Sequence, residues 1–271
     1  MNKDMDSLAT APDAQPGLAS QPSADGRKVL VAVATYNEIA NLPIFVRRLR
    51  EILPEVDLLV IDDGSPDGTG QWCNEQMKSD PHLRCLHRQG KLGLGTAIIA
   101  AMHYAIQHEY DVLVNLDADL SHPPEMIPPM LAVQSETGSA KANPATTVVL
   151  GSRYVQGGGI KGWPLKRHLM SRAINLYSRI LLKLPIKDCS GSIRVYPVPL
   201  LKQIEFDSFL SHGYSFFEEI LHRLNERGAQ FVEYPFVFVE RQYGRSKINM
   251  GEARKAVWVI FRLGLRVWRP F

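Results

Sequence analysis

The 271-residue sequence contains no apolar run of the length that a membrane-spanning helix needs, few cysteines and little net charge. No transmembrane segment is therefore expected, because a spanning helix requires about 20 consecutive apolar residues. The three cysteines show neither metal-site spacing nor an even count, which favours free thiols in a reducing compartment. A net charge of +3 is too small to indicate a nucleic-acid partner.

The first 27 residues lack the apolar segment of a signal peptide. They are rich in alanine, proline, serine and aspartate, a composition that provides little apolar surface to bury. We therefore predict a disordered tail over residues 1–27.

From residue 28 onward, apolar runs alternate with segments of helical periodicity. The predicted strands are KVLVAVATY, VDLLVIDD, HLRCLHR, DVLVNLD and ATTVVLGSRY. Continuous apolar runs of this length are typical of strands buried on both faces of a parallel sheet. Repeated βα units predict an α/β fold, with a mostly parallel sheet flanked by helices. We expect one domain over residues 28–249, because no internal boundary is visible.

Polar clusters follow three of these strands at the point where each one ends. TYNE follows the first strand, DDGSPDG the second and DADLSHPP the fourth. Ligands of open parallel sheets bind beyond the carboxyl ends of the strands. The three clusters are therefore expected to meet at one edge of the sheet.

Asp117 and Asp119 end the apolar run of the fourth predicted strand. Carboxylates two residues apart point the same way in an extended chain, and hard oxygen ligands suit Mg²⁺ or Mn²⁺ completed by phosphate oxygens. The alternative is a turn in which Asp119 caps a helix beginning near Pro123. His122 is interpreted as a polar contact of this motif and not as a ligand.

Asp62 and Asp63 occupy the end of the second strand. Acidic residues at this position commonly accept hydrogen bonds from a ribose or a base. The following residues, Ser65 to Gly68, predict a turn that Asp62 or Asp63 could stabilise instead, and both interpretations can hold together.

TYNE offers the aromatic ring of Tyr36 and the carboxylate of Glu38 to a ligand. Its alternative is a helix N-cap formed by Asn37 or Asn41. GKLGLGT has glycines, but their spacing fits neither the P-loop nor the dinucleotide fingerprint, so it predicts only a tight approach to a helix N-terminus.

The order and spacing of these motifs resemble glycosyltransferase family 2, and more narrowly the dolichol-phosphate (polyprenyl-phosphate) mannosyltransferases. The matching segments are TYNE, VIDDGSPDGT, GKLGLGTA, LDADLSHPPE, GSRYVQGGGIKGWP, SRAIN, SGSIRVY, GYSFFEEIL and FVERQYGRSK. The resemblance spans residues 29–249. It implies a Rossmann-like GT-A fold and inverting, metal-dependent transfer of mannose from GDP-mannose to a polyprenyl (dolichyl) phosphate.

The resemblance also implies roles for individual residues. It maps the nucleotide site onto Ala34, Tyr36, Glu38 and Asp63. It maps the metal and diphosphate site onto Asp117, Ala118, Asp119 and Ser121. It places Arg153 over the diphosphate or the sugar, and Arg241 and Lys247 on the lipid phosphate. Relatives often have proline where this chain has Ala34, and a backbone contact there would survive the change.

The basic residues fit this chemistry because the acceptor, a phosphate monoester, is already largely anionic near neutral pH. It needs no strong general base, only cations that orient it, and Arg241, Lys247 and Arg245 suit that task, with Arg194 as a further candidate. Arg153 offers a bidentate contact to phosphate oxygens. The alternatives are a solvated basic loop and, for Arg153, a surface arginine after a strand.

Glu218 and Glu219 begin a predicted helix, FFEEILHRLNERG. One of them could anchor Arg241 or Arg194. Alternatively, both favour the helix N-terminus through their charge.

The segment 250–271 predicts an amphipathic helix on a membrane surface. Lys255, Arg262, Arg266 and Arg269 form a basic stripe, and aromatic and aliphatic residues occupy most of the remaining circumference. We expect peripheral association with the cytoplasmic face of a membrane, and a small membrane subunit is a possible partner. The alternative is a terminal helix that packs on the core or on another subunit.

Three other functions remain compatible with the sequence. The same acceptor could receive glucose or N-acetylglucosamine, because the sequence does not specify the sugar's hydroxyl configuration. A metal-dependent nucleotidyltransferase would also use paired carboxylates. A lipid-surface scaffold without activity is disfavoured by the combination of Asp117 and Asp119 with Arg241 and Lys247.

Overall fold

A computed structural model describes residues 26–136, 143–240 and 250–268 of the chain. The strands are β1 Val29–Thr35, β2 Asp57–Asp62, β3 Leu83–His87, β4 Val112–Asp117, β5 Thr147–Ser152, β6 Gly159–Lys161, β7 Arg194–Pro197, β8 Gln230–Pro235 and β9 Val237–Val239. The helices are α1 Leu42–Ile52, α2 Thr69–Gln76, α3 Leu94–Gln107, α4 Ile127–Ser135, α5 Leu165–Leu181, α6 Val198–Leu201, α7 Phe216–Glu226 and α8 Met250–Val267. All but the last two residues of the predicted tail lie outside the described residues.

A seven-stranded sheet has the order β3-β2-β1-β4-β7-β5-β8. Its neighbouring strands are parallel except where β7 pairs antiparallel with β4 and β5. Strands β6 and β9 form a separate parallel pair. The prediction of a mostly parallel sheet flanked by helices is confirmed.

The strand register brings the polar clusters together. In the ladder, Ala34 of β1 is paired with Asp117 of β4 on one side and with Ile61 of β2 on the other. Thr35 is paired with Asp62 in the next position. The three strands therefore end level with one another, and the residues that follow them start from one edge of the sheet.

The sheet is covered on both faces, as its continuous apolar strands predict. Leu30 and Ala32 of β1 pack towards α3 and α7, whereas the intervening Val31 and Val33 pack towards α1 and α4. This alternation follows from the two-residue period of a strand.

Helix α8 packs on the domain along one face. Val259, Ile260 and Leu263 are buried in the same core cluster as α3 and α7. The absence of a side chain at Gly264 permits close approach to α5, since a Cβ there would lie 3.1 Å from Leu181 Cβ. In the described part of the chain, α8 and the other helices are all too short or too polar to cross a bilayer.

Candidate active site

A cavity of about 630 Å³ lies at the carboxyl ends of β1, β2 and β4. The sequence-predicted residues that line it are Ala34, Tyr36, Glu38, Asp63, Asp117, Ala118 and Asp119. Ser121 contacts this group through Asp119. The structure thus brings the expected nucleotide-site and metal-site residues to one place.

The turn after β4 holds Asp119 in a defined orientation. The backbone N–H of Ser121 donates to Asp119 Oδ1 at 3.0 Å, and its hydroxyl donates to the same oxygen at 2.6 Å. Leu120 adopts a φ of 63°, in the left-handed region that few non-glycine residues occupy. Such backbone conformations persist where the surroundings enforce them, commonly at functional sites.

His122 completes a cluster with Asp117 and Asp119 in which the candidate ligand atoms all lie within 4.8 Å of one another. Its Nδ1 is 3.5 Å from Asp117 Oδ2, and its ring packs against Phe236 and Phe238. Burial lowers the pKa of His122, although both carboxylates oppose that shift, so the neutral imidazole is favoured. The two carboxylates suit Mg²⁺ or Mn²⁺, and the imidazole of His122 lies within reach of the same ion.

The two acidic residues after β2 have different environments. Asp62 is buried, accepts a hydrogen bond from Thr35 Oγ1 at 3.1 Å, and stabilises the following turn through the backbone N–H of Ser65, also at 3.1 Å. Asp63 instead lines the cavity. The turn interpretation is therefore confirmed for Asp62, and the nucleotide contact of Asp63 stays a prediction.

Asp63 faces a basic neighbour that sequence reasoning missed. Its Oδ1 lies 3.1 Å from Arg88 Nη1, so the carboxylate and the guanidinium form an ion pair. Burial raises the pKa of Asp63, and the Arg88 guanidinium opposes that shift. The ion pair with Arg88 holds the Asp63 carboxylate at this end of the cavity.

The loops after β1 and β2 are joined by hydrogen bonds. The backbone N–H of Asn37 donates to Ser65 Oγ at 2.9 Å, and that of Glu38 donates to Thr69 Oγ1 at 3.1 Å. Asn41 occupies the N-cap of α1 without a side-chain cap and donates to Glu38 Oε2 at 2.7 Å. The expected asparagine cap is therefore absent, and Asn41 positions Glu38.

Lys91, from the glycine-rich GKLGLGT segment, also lines the cavity. Its Nζ lies 4.8 Å from the centre of the Tyr36 ring. The ammonium group of Lys91 therefore brings positive charge to the side of the cavity that Tyr36 lines, where it would attract an anionic ligand.

The wall opposite the sheet is formed by residues 210–215, which we call the 210–215 wall. Glu219 of α7 anchors its start, because its carboxylate accepts the backbone N–H groups of Leu210 and Ser211 at 3.1 and 2.9 Å. Arg223, one turn along α7, donates to the same carboxylate at 2.7 Å. The motif GYSFFEEIL contains residues 213–215 of this wall, but the sequence analysis did not predict the wall.

The other end of the 210–215 wall rests on the start of α3. The backbone N–H of Gly95 donates to His212 O at 3.0 Å. A Cβ at Gly93 would lie 2.4 Å from the same oxygen, and Gly93 has a φ of 106°. The glycines of GKLGLGT therefore allow this backbone to approach closely, as their sequence predicted for a tight approach to a helix N-terminus.

Arg153 is buried, and its guanidinium binds protein groups. It donates to both carboxylate oxygens of Asp188, at 2.7 and 2.6 Å, and to Ser190 Oγ at 2.9 Å. Because Asp188 occupies the bidentate edge of the Arg153 guanidinium, this edge is not available for the predicted contact with the diphosphate or sugar. Sequence reasoning missed Asp188, because it lies 35 positions away along the chain.

Arg194 does not lie in the cleft. It is fully buried and donates to the backbone carbonyls of Gly191, Phe217 and Cys189 at 2.6 to 2.8 Å. Its interpretation as an acceptor-phosphate ligand is therefore wrong, since β7 lies inside the sheet. Neither glutamate at the start of α7 bonds to Arg194, and Glu219 anchors the 210–215 wall instead.

Glu218 is buried, and its Oε2 has no hydrogen-bond partner among the described residues. Burial raises the pKa of Glu218 to about 7, although Arg194 opposes that shift. The folded state therefore retains a proton that the unfolded state releases between its ordinary pKa of 4.5 and about 7. The contribution of Glu218 to the free energy of unfolding is therefore fully present below about pH 4.5. It is lost as the pH rises from about 4.5 to about 7.

Replacing Glu218 with glutamine is expected to remove this pH dependence. Between about pH 4.5 and 8, the unfolding free energy of the variant should gain about 3 kcal/mol relative to the unchanged protein. Urea unfolding at both pH values measures the difference. Glu205→Gln, at an exposed glutamate, serves as control, and a pH-independent difference for Glu218→Gln would contradict the prediction.

Helix α8 contributes Lys255, Trp258 and Val259 to the cavity. Arg241 and Lys247 lie outside the described residues, so their predicted contact with a lipid phosphate stays a prediction. The described chain stops before them at Glu240, which pairs with Arg167 at 2.7 Å, and resumes at α8.

Comparison with known proteins identifies the family. A model of "Glycosyl transferase family 2" matches residues 30–205. The chain belongs to glycosyltransferase family 2. It is thus a glycosyltransferase, as its motifs indicate.

The family 2 chain is similar to two curated bacterial mannosyltransferases. It is 42% identical over 238 residues to an undecaprenyl-phosphate mannosyltransferase of Micrococcus luteus, covering 88% of this chain and 94% of the relative. It is 37% identical over 241 residues to a polyprenol monophosphomannose synthase of Mycolicibacterium smegmatis, covering 89% and 88%. The resemblance to polyprenyl-phosphate mannosyltransferases is therefore confirmed.

Solved structures show that this glycosyltransferase has the GT-A fold. Glucosyl-3-phosphoglycerate synthase of Mycobacterium tuberculosis, in complex with Mn²⁺, uridine diphosphate and phosphoglyceric acid, matches with a TM-score of 0.63 at 18% identity, covering 91% of this chain and 81% of that one. The mannosyltransferase PcManGT of Pyrobaculum calidifontis, in complex with GDP-Man and Mn²⁺, matches with a TM-score of 0.53 at 18% identity, covering 88% and 62%.

Proposed function

We propose that this enzyme transfers mannose, with inversion, from GDP-mannose to a polyprenyl (dolichyl) monophosphate. The observation that carries the proposal is the single cavity that joins Asp117 and Asp119 to Tyr36, Glu38 and Asp63. The two curated relatives, named for mannosyl transfer to polyprenyl phosphates, support the acceptor and the sugar.

The carboxylates after β4 are proposed to hold Mg²⁺ or Mn²⁺ together with the donor's diphosphate. When bound, the ion would act as a Lewis acid that stabilises charge on the departing nucleoside diphosphate. Ser121 fixes the Asp119 oxygen that it bonds, and His122 is available as a third ligand. Structures of the same fold that contain Mn²⁺ with a nucleotide support this assignment.

The nucleoside is proposed to lie between the loops after β1 and β2. Asp63 would accept a hydrogen bond from the ribose or the base, and Tyr36 would provide an aromatic face. Ala34 and Ala118 would contribute backbone contacts. Lys91 would add positive charge beside the phosphates.

The acceptor phosphate is proposed to be oriented by Arg241 and Lys247. Arg153 is proposed to lie over the diphosphate or the sugar, with Asp188 holding its guanidinium in place. No general base is required, because a phosphate monoester is already largely ionised near neutral pH. Orientation of this kind contributes to catalysis by fixing the reacting atoms in line.

A donor panel tests the proposal. The purified enzyme receives radiolabelled GDP-mannose, UDP-glucose or UDP-N-acetylglucosamine with a short polyprenyl phosphate and Mn²⁺. Labelled lipid is expected with GDP-mannose alone. Label from either UDP-sugar instead would reassign the donor, and release of inorganic pyrophosphate would indicate a nucleotidyltransferase.

Because the acceptor is a lipid, we propose that the enzyme binds peripherally to a membrane surface. We place it on the cytoplasmic face, where the nucleotide sugar and a reducing environment are found. Helix α8 exposes a set of large apolar side chains, Val257, Trp258, Phe261, Leu265 and Trp268. Helix α5 exposes Leu165, Leu169, Met170, Leu176 and Ile180. Exposed large apolar side chains on two helices that pack against each other favour an interfacial role.

Phe261→Ser is expected to lower binding to phospholipid vesicles about 10-fold, because a buried aromatic side chain contributes roughly 1.5–3 kcal/mol to apolar transfer. Co-sedimentation with vesicles measures the change. Val232→Ser, at an exposed valine of β8, is the matched control. Equal losses in the two variants would contradict a membrane role for this face of α8.

A further inference from the structure

A second, smaller cavity lies beside α5 and shares no lining residue with the cavity at the sheet edge. We call it the basic cleft. It has a volume of about 250 Å³ and is lined by Tyr154, Arg172, Asn175, Leu176, Arg179 and Lys187.

The lining of the basic cleft contains three cationic side chains and no acidic one. Arg172 and Arg179 are seven residues apart on α5 and therefore share one face of the helix, and Lys187 follows α5 in the chain. Among the described residues, none of the three forms an ion pair, and the buried Nε of Arg179 has no hydrogen-bond partner. Clefts lined by one sign of charge concentrate ions of the opposite sign, so this one favours an anion.

The surroundings of the basic cleft are apolar. Leu176 both lines the cleft and exposes 55% of its surface, and Ile180 lies one turn further along α5. Trp268 of α8 lies at the same end of α5, since its Nε1 donates to Leu181 O at 3.0 Å. A free inorganic anion would gain nothing from these side chains, whereas an anion that carries acyl chains would cover them.

We propose that the basic cleft binds the phosphodiester headgroup of an anionic phospholipid, with its acyl chains beside the exposed apolar residues of α5 and α8. The site is separate from the donor cavity and rests on the proposed function only through the membrane surface. Basic pockets next to apolar membrane-facing helices recognise anionic headgroups in this way. The bound lipid would fix how the enzyme is oriented on the bilayer.

Titration with monomeric dihexanoyl-phosphatidylglycerol, below its micelle concentration and followed by calorimetry on the full chain, tests the proposal. Saturable binding of one lipid is expected. Arg172→Gln with Arg179→Gln should weaken it about 30-fold, because two cations near the anion are lost. Arg172→Lys should retain most of the affinity.

The control for lost charge is Arg47→Gln with Arg227→Gln, two exposed arginines on α1 and after α7. This double variant should bind the lipid as the unchanged protein does. The proposal would be overturned by equal affinity for dihexanoyl-phosphatidylcholine or by equally tight binding of inorganic phosphate. It would also be overturned if both double variants lost the same affinity for the lipid. If the double variant fails to fold, the single variant Arg172→Gln, at an exposed position, is titrated with the lipid in its place.

A transfer assay separates this site from the acceptor site. With GDP-mannose and a detergent-dispersed short polyprenyl phosphate, Arg172→Gln should leave the KM for the acceptor unchanged. A raised KM would assign the basic cleft to the acceptor's phosphate and overturn the proposal. If the unchanged protein transfers no mannose, the proposed function fails, but the lipid titration, which contains neither substrate, still decides the role of the cleft.

Discussion

Replacing Asp119 with asparagine is expected to lower kcat for sugar transfer by about 10³-fold, through loss of the metal-assisted stabilisation of the leaving group. Asparagine has the same shape, and its Oδ1 can still accept both hydrogen bonds from Ser121. The turn after β4 should therefore persist while one anionic ligand is lost. The effect is thus attributable to charge and not to unfolding.

The measurement combines steady-state transfer with Mn²⁺ binding by electron paramagnetic resonance in the presence of the nucleotide. Asp119→Asn should weaken Mn²⁺ binding in parallel with the loss of kcat. Asp207→Asn, at an exposed aspartate outside the cavity, is the matched control and should change neither quantity. Activity of Asp119→Asn within a few-fold of the unchanged protein would refute the metal assignment.

Replacing Glu219 with alanine is expected to lower the free energy of unfolding by about 3–5 kcal/mol, because it removes one partner of a buried ion pair. The carboxylate is fully buried and binds Arg223 together with the backbone of Leu210 and Ser211. Its loss leaves those donors unsatisfied. The same change frees the 210–215 wall, so the KM for the donor should rise as well.

Glu219→Gln separates the two effects, since glutamine retains an acceptor for the backbone N–H groups but loses the charge that faces Arg223. We expect a smaller loss of stability and a KM for the donor that rises less than in the alanine variant. Glu226→Ala removes an exposed carboxylate from the same helix and should cost no more than about 1 kcal/mol. If donor KM is unchanged in both Glu219 variants below their melting temperatures, Glu219 does not position the cavity wall.

Much of the fold was predictable from local patterns. Continuous apolar runs identified β1, β2 and β4, because a strand buried on both faces must be largely apolar. The position of TYNE, DDGSPDG and DADLSHPP at strand ends predicted that they share one edge of the sheet, and the ladder register bears this out. Asp117 and Asp119 could be recognised as a candidate metal site because the two carboxylates lie only two positions apart in the sequence.

Residues whose partners are distant in sequence were predicted poorly. The pairing of Arg153 with Asp188 was not predicted, because the two residues lie 35 positions apart in the chain. Arg194 was expected at the acceptor, but its strand β7 inserts antiparallel between β4 and β5 and carries the side chain into the core. The order of strands in a sheet cannot be predicted from local sequence patterns.

The sequence by itself determined the α/β class, the strand-end acids and the amphipathic character of α8, because each depends on periodicity or on residues adjacent in the chain. The tertiary structure alone decided that Glu219 and Gly95 hold the wall opposite Asp119, and that Val259 and Ile260 turn one face of α8 inward. These outcomes depend on which of several apolar or charged surfaces meet when the chain folds. That choice is made by packing between distant segments, which local spacing does not encode.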